Sequence, residues 1–383
     1  MGKLFPDNLP QTLLGGLSAE EFLAEYWQKK PLLVRGAIPG FTGLLDKEEM
    51  FDLACDPDVE SRWVAHDDSH WQIKHGPQKA SDLRKKKHPW TVLVQGLNLF
   101  LPEGDRLLDF FNFVPRAQLD DLMVSYAVDG GGVGPHFDNY NVFLLQGIGQ
   151  RRWRIGDQKD QTLIEGIPLR ILKDFQPVYD WVLNPGDMLY LPPAWAHDGV
   201  AIGECMTYSV GFRSLNATEI GQSFLAFLQE NLCLEGLYAD SDLKLAQHNG
   251  EIPPALIEKT AEWLQQIRWD NETVARCLGR FLTEPKPHVY FDAPESSVSR
   301  KKFLQSSKHG VRLDTRTQLL FSGNRFFLNG EEVCVSENLR PYVIQLADSR
   351  GISDVSNLSD EVIEFLLDWH QQGLLWSADP NLA

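Results

Sequence analysis

His136-Phe137-Asp138, answered 61 residues later by His197, offers two imidazoles and one carboxylate. That donor set holds mononuclear non-haem Fe(II) and leaves coordination positions open for a cosubstrate and dioxygen. Residues two apart on a strand project to the same side, so His136 and Asp138 are expected on a strand, reaching one metal while Phe137 turns into packing. His197 closes the run that begins at Asn184. Within it, Pro185-Gly186-Asp187 signals a turn, Met188 to Leu191 a short strand, and Pro192-Pro193 the strand's end. His197 is therefore predicted at the mouth of a strand.

An H-x-D tripeptide alone carries little weight, and the chain contains a second one, His66-Asp67-Asp68. Its surroundings, Ala65 to His70, are polar and lack a following apolar strand, which predicts a solvated loop. His136 instead follows Gly130-Gly131-Gly132-Val133-Gly134-Pro135, where bare backbone can pass close to a ligand. It precedes the strand-like run Val142 to Leu145. Context, rather than the tripeptide, selects the metal site over a pair of core histidines.

The elements that must position these residues can be read next. With 383 residues, two or three domains are expected. Apolar residues make up 43% and charged residues 23%, the proportions of a soluble globular protein. No apolar run reaches the roughly 20 residues that span a bilayer, and Met1 to Pro6 has no signal-peptide core, so a cytoplasmic location is expected. The five cysteines, Cys55, Cys205, Cys233, Cys277 and Cys334, are scattered and lack C-x-x-C spacing, which predicts reduced and mostly buried thiols. A formal charge of −17 disfavours nucleic-acid backbones and suits a basic partner. The basic run Arg84 to His88 is short and reads as a solvated loop.

Residues 18 to 28 are predicted helical, with Ser18 as N-cap and Glu21 completing a capping box. Leu32-Leu33-Val34 reads as a strand, residues 40 to 56 as a polar helix, and Thr91 to Val94 and Leu97 to Phe100 as buried strands around a glycine break. From Trp63 to Gln72 the pattern is mixed. Between residues 119 and 212 short apolar segments alternate with turn signals, the pattern of a double-stranded jelly roll of the cupin kind with the site inside the barrel. Helical periodicity then follows over residues 216 to 232, Pro254 to Ile267 and Asn271 to Leu282, the last capped by Asn271. Their apolar faces suggest a dimerisation or docking segment, or an intrachain linker bundle. From Pro285 onward, strands around the hairpin signal Asn329-Gly330 and helices over 337–348 and 359–372 suggest a winged-helix module without a basic recognition helix. The division expected is a jelly roll over 1–213, a helical region over 214–284 and a winged helix over 285–383.

A bidentate 2-oxo acid on the open iron positions needs a cation for its far carboxylate. Gly149-Gln150-Arg151-Arg152-Trp153-Arg154 supplies arginines whose alternation puts Arg151 and Trp153 on one face and Arg152 and Arg154 on the other. An inward arginine would hold a carboxylate through two parallel bonds. Which face points inward is left open by the sequence.

Four segments carry a family resemblance: Tyr26-Trp27-Gln28-Lys29-Lys30-Pro31 with Leu32 to Gly36, Asn98 to Pro102, Gly130 to Asp138, and Tyr208-Ser209-Val210-Gly211-Phe212-Arg213. Together they resemble the bacterial ribosomal oxygenases, a JmjC-type branch of the cupin superfamily, over nearly the full length. The resemblance implies a jelly roll, a helical dimerisation region and a winged helix acting as a homodimer. It implies His136, Asp138 and His197 as ligands of Fe(II), with 2-oxoglutarate and O2 as cosubstrates. Arg151 falls where the family has a basic residue for the distal carboxylate. Ser125 aligns with a hydroxyl-bearing position of that pocket, and Asn141 with a polar position near the cosubstrate. The implied reaction is hydroxylation of a basic ribosomal protein, an arginine of large-subunit protein L-sixteen in the bacterial members.

Other readings of the same residues remain. Histidine of another ribosomal protein could be the target, or the barrel could serve a JmjC-type demethylase or small-molecule oxygenase. From a different class, the chain could be a metal-binding cupin without turnover, or a winged-helix regulator whose barrel senses a ligand.

Overall fold

The structure, a computed structural model, describes residues 9–67, 70–84, 88–245, 247–287 and 289–378. Met1 to Pro6, Asp68 of the second H-x-D tripeptide and Lys85 to Lys87 of the basic run lie outside them.

The N-terminal part is built from β1 (Leu32–Val34), β2 (Ser61–His66), β3 (Trp71–His75), β4 (Trp90–Val94), β5 (Leu119–Ala127), β6 (Val142–Gln146), β7 (Gln150–Gly156), β8 (Tyr179–Leu183), β9 (Met188–Leu191), β10 (Ala196–Ile202) and β11 (Cys205–Phe212). Eight of these pair in the order β1-β9-β6-β11-β5-β4-β2-β3, while β10-β7-β8 form a second sheet. The result is the double-sheet jelly roll of the cupin type.

Each face of the large sheet buries a different set of side chains. Even positions of β5 and β11 (Leu122, Val124, Tyr126, Met206, Tyr208, Val210) join Phe143 and Tyr190 in a core shared with Phe22, Phe51 and Leu108 of the covering helices Ala19–Glu25, Lys47–Cys55 and Pro102–Asp109. On the other face Val142, Leu144, Leu189 and Leu191 meet Trp153, Ile155 and Leu183 of the small sheet. This separation follows from the period of two along a strand.

Several local expectations need correction. The helix over 18–28 is Ala19–Glu25, with the Ser18–Glu21 capping box in place, and that over 40–56 is Lys47–Cys55 behind an Asp46–Glu49 box. Leu97–Phe100 is a short helix rather than a strand. Gly96 turns the chain through φ 65°, and Asn98 Oδ1 accepts the Leu122 amide, so a side chain replaces ladder pairing. Trp63 to Gln72 resolves into β2 and β3, and His66 is the last residue of β2, its ring 4.3 Å from that of Trp71. Helix Asn271–Thr283 is capped by Asp270, whose carboxylate accepts the Thr273 amide, rather than by Asn271. Of the cysteines, Cys205 and Cys277 are buried, Cys55 is half-buried, and Cys233 and Cys334 are exposed.

By spatial clustering the chain forms two compact units, one comprising the residues up to Ser214 with Lys286–Thr317 and Pro341 onward, the other Leu215–Pro285 with Gln318–Arg340. In the first, β12 (Val311–Leu313) pairs on its two sides with residues 351–352 and 375–377, and Arg312 and Arg350 both reach Asp105 of the Pro102–Asp109 helix. In the second, helices Ala217–Asn231, Pro254–Leu264 and Asn271–Thr283 accompany β13 (Leu319–Ser322), β14 (Arg325–Leu328) and β15 (Glu331–Val333). Asn329 (φ 49°) and Gly330 (φ 88°) make the expected hairpin turn. Gly279 lets its helix lie against β14, because a Cβ there would sit 2.3 Å from the Phe327 ring.

Candidate metal centre

A pair of backbone bonds brings the distant histidines together. The His136 amide donates to the His197 carbonyl at 3.0 Å and the His197 amide to the His136 carbonyl at 2.9 Å, a single antiparallel bridge outside any longer ladder. The Ala194 amide then donates to the Asp138 carbonyl at 2.9 Å. The expectation of a strand through His136 and Asp138 is corrected here, since Asp138 belongs to no strand. A local two-residue clamp does the positioning instead.

The three side chains converge. Asp138 Oδ2 lies 3.4 Å from His197 Nε2 and 3.8 Å from His136 Nε2, and the two imidazole centroids are 4.3 Å apart. Among the described residues this is the one group of three or more His, Cys, Asp or Glu side chains poised to hold a metal. His136 Nδ1 bonds the Gly134 carbonyl at 2.8 Å and His197 Nδ1 the Trp195 carbonyl at 3.0 Å. A carbonyl can only accept, so Nδ1 carries the proton in both rings. Each Nε2 is left to present its lone pair to the common focus.

The electrostatics agree with a cation at that focus. Burial pushes the His136 imidazole below its ordinary value, and neighbouring His197 pushes it further. For His197 burial works downward too, but the Asp138 carboxylate beside Nε2 outweighs it and raises the group, favouring a positive charge, proton or metal, at that nitrogen. Burial would raise the Asp138 carboxyl, yet the His197 bond and the fields of both histidines hold it at about 2. The nearby Tyr140 hydroxyl also favours the anionic form of this carboxylate. Sequence reading passed over Tyr140, which lies outside any strand and whose approach to Asp138 no strand periodicity signals.

Arg151 lies deeper on the same inner surface. Along β7 and β10 the register pairs Ile155 with His197, Trp153 with Gly199 and Arg151 with Ala201. Arg151 and Trp153 are each 6% exposed, so the face left open by the sequence is settled: theirs points inward. Arg152 instead pairs with exposed Asp180, and Arg154 with Asp198. Arg151 Nη1 donates to Ser125 Oγ at 3.3 Å, joining the two residues that the resemblance placed in one pocket. Its Nε and Nη2 are buried without any acceptor, as is Trp153 Nε1. A buried guanidinium missing acceptors on two nitrogens fits the carboxylate of a bound acid.

Gly199 is a further residue the sequence reading missed. A Cβ there would lie 2.6 Å from the Trp153 ring, so glycine lets the indole lie against β10. A glycine inside a strand, two residues past a ligand, was the available signal. Asn141 is not brought to the pocket. Its Oδ1 accepts from the Tyr190 hydroxyl at 2.6 Å, and Tyr190 belongs to the helix-facing core, on the opposite side of the sheet from Leu144.

Residues 106–220 match the JmjC domain family, and residues 266–376 match the ROXA-like winged helix. The chain is 39% identical over 382 residues to a probable ribosomal oxygenase of Haemophilus influenzae, covering 96% of this chain and 89% of that one. It is 32% identical over 321 residues to ribosomal protein uL16 3-hydroxylase of Escherichia coli, covering 83% of this chain and 86% of that one. The X-ray structure of E. coli YcfD superposes with a TM-score of 0.80 at 29% identity, covering 94% of this chain and 98% of that one. YcfD in complex with cobalt and 2-oxoglutarate, with the same identity and coverage, gives 0.77. With its inward metal triad, JmjC barrel and winged helix, the chain belongs to the bacterial ribosomal oxygenases.

Proposed function

We propose that this protein is an Fe(II)- and 2-oxoglutarate-dependent hydroxylase of a ribosomal protein side chain, its target an arginine of large-subunit protein uL16. The observation that carries the reading is Arg151, a buried guanidinium with two unpaired nitrogens on the same inner surface as the triad. His136, Asp138 and His197 would hold the iron by one face, and Arg151 with Ser125 would hold the distal carboxylate of the cosubstrate. When bound, Fe(II) and 2-oxoglutarate supply the activation of O2 that couples oxidative decarboxylation to hydroxylation of a substrate carbon. The chain's own residues do the rest. The Gly134 and Trp195 carbonyls fix the imidazole tautomers, Tyr140 and His197 keep Asp138 anionic, and Trp153 walls the space between metal and arginine.

Arginine as target agrees with a formal charge of −17, which favours encounter with a basic ribosomal protein and disfavours direct nucleic-acid binding. Such a partner belongs in the cytoplasm, and no helix among the described residues is long and apolar enough to cross a membrane. By function we divide the chain into a jelly roll over 1–213, a helical region over 214–284 and a winged helix over 285–383, a division that differs from the two compact units of the fold. A homodimer through residues 214–284 is supported by the exposure of Leu225, Ile257, Leu264 and Trp269. Light scattering on a Leu225→Glu, Ile257→Glu double variant should then give a monomer.

The deciding experiment incubates the protein with Fe(II), ascorbate, 2-oxoglutarate and a uL16 peptide. Succinate should form in step with a gain of one oxygen mass on an arginine. Oxidation at a histidine instead, or succinate that no ribosomal peptide stimulates, rejects the arginine target.

A further inference from the structure

Beside the metal focus lies a surface that the reaction described above does not use. Across β10, β7 and β8 the register aligns His197 with Ile155 and Ile155 with Tyr179; one step deeper it aligns Gly199 with Trp153 and Trp153 with Trp181. Tyr179 and Trp181 thus share the inward side of the small sheet, on the strand that ends it. Their rings stack with centroids 4.7 Å apart and 21° between planes. Trp195, two residues before His197, stacks on Tyr179 at 6.3 Å and 25°.

The three rings are only partly consumed by packing. Trp181 and Trp195 rest against the inter-sheet core but stay half-buried, and Tyr179 is 42% exposed. Stacked aromatic faces carry a negative quadrupole that attracts cations. Among the described residues, the lysines and arginines that stand over aromatic rings do so elsewhere. Arg152, which faces Val182 across the β7–β8 ladder, is already paired with Asp180.

We propose that Tyr179, Trp181 and Trp195 form a subsite that takes a lysine or arginine side chain flanking the hydroxylated residue of the substrate. The proposal rests on the reading of the chain as a hydroxylase of a basic protein, and it names how that protein is recognised. The reacting residue must occupy the open side of the metal, so the rings, one wall away, are left for a neighbour. Two strand spacings of ~4.8 Å put the Tyr179 backbone roughly 10 Å from that of His197, the length of about three residues of extended peptide. A polyanionic chain with an aromatic stack at the site's edge complements a cationic segment in charge at long range and in shape at contact.

A double-mutant cycle on the full-length protein tests this. Hydroxylation of a basic uL16 peptide is followed for wild type, Tyr179→Ala and Trp181→Ala, with that peptide and with versions in which each lysine or arginine within three residues of the target is replaced by alanine. KM for the parent peptide should rise about three- to tenfold in each variant, as expected for loss of a cation–π contact. One peptide cation should matter to wild type by a similar factor and cease to matter in both variants. Tyr179→Phe and Trp181→Phe, which keep a ring, should restore the discrimination, and they serve where an alanine variant does not fold. An unchanged KM, or the same penalty for every peptide in wild type and variant, overturns the subsite while leaving the hydroxylase reading intact. Wild-type protein that oxidises no basic peptide overturns that reading itself, and the subsite with it.

Discussion

Two arginines, Arg151 and Arg350, are equally buried in this chain, at 6% and 4% exposure, and their surroundings are opposite. Arg350 Nε meets Asp105 at 2.9 Å, its Nη1 donates to the Thr317 carbonyl at 2.9 Å and its Nη2 to the Asp314 carbonyl at 2.6 Å. Arg312 closes the same knot by bonding Asp105 and Asp109. Arg151 has a single long bond to Ser125, and two of its nitrogens have none. A buried charge is tolerated when its neighbours complete its hydrogen bonds, as at Arg350. Where the fold leaves them incomplete, the missing acceptor has to come from outside. Burial alone therefore marks neither arginine as functional; the state of its donors does.

The sharpest break of this contrast is at the metal end of the open site. His136→Ala should reduce 2-oxoglutarate turnover to background and lower bound iron, because a carboxylate and one imidazole rarely keep the metal in place. Undiminished turnover would reject the triad. Arg350→Ala comes next, leaving Asp105 buried with less compensation, at a cost of about 3–5 kcal/mol. It should appear as a large fall in Tm with no selective effect on the cosubstrate.

Arg151→Ala should do the reverse. Loss of charge-assisted bonds worth about 1.5–3 kcal/mol raises the 2-oxoglutarate requirement by roughly 10- to 150-fold, with Tm held or increased. A parallel fall of Tm in both arginine variants would erase the distinction between the closed and the open site. As an internal control, Arg152→Ala removes an exposed pair and should change stability by less than about 1 kcal/mol, without affecting the cosubstrate.

A smaller effect lies in pH. Burial would raise the Asp105 carboxyl, but Arg350, Arg312 and Arg116 overcome it and hold the group below its ordinary value. The unfolded chain therefore takes up the proton first as pH falls. The knot's stabilisation is complete above the unfolded value of about 3.9 and is lost as pH drops through the folded one. Asp105→Asn should flatten that acid limb of a Tm-against-pH curve, and an unaltered slope would show that Asp105 does not set it.

Legibility differed with the range of the forces involved. The capping boxes at Ser18 and the turn at Asn329-Gly330 were readable because their partners lie within a few residues. Alternation put Arg151 and Trp153 on one face, and the structure then decided that this face is the inner one. Leu97–Phe100 misled because its apolar run looks like a strand until Asn98 finds the Leu122 amide, 24 residues away. Asn141 misled in a similar way, since only the fold brings Tyr190 to its side chain.

The sequence by itself determined the ligand types, the glycine-rich approach to His136, the polarity that suits a basic partner and the alternation that pairs Arg151 with Trp153. These depend on residue chemistry and on short-range backbone geometry. Only the tertiary structure decided that His136 and His197 clasp each other through their backbones, that Arg151 rather than Arg350 is left with unmatched donors, and that Tyr179, Trp181 and Trp195 stack beside the metal focus. Apart from the Tyr179–Trp181 stack within β8, each of those facts joins residues far apart in sequence, and a hydrogen bond or ring stack across such gaps exists only once the chain has folded.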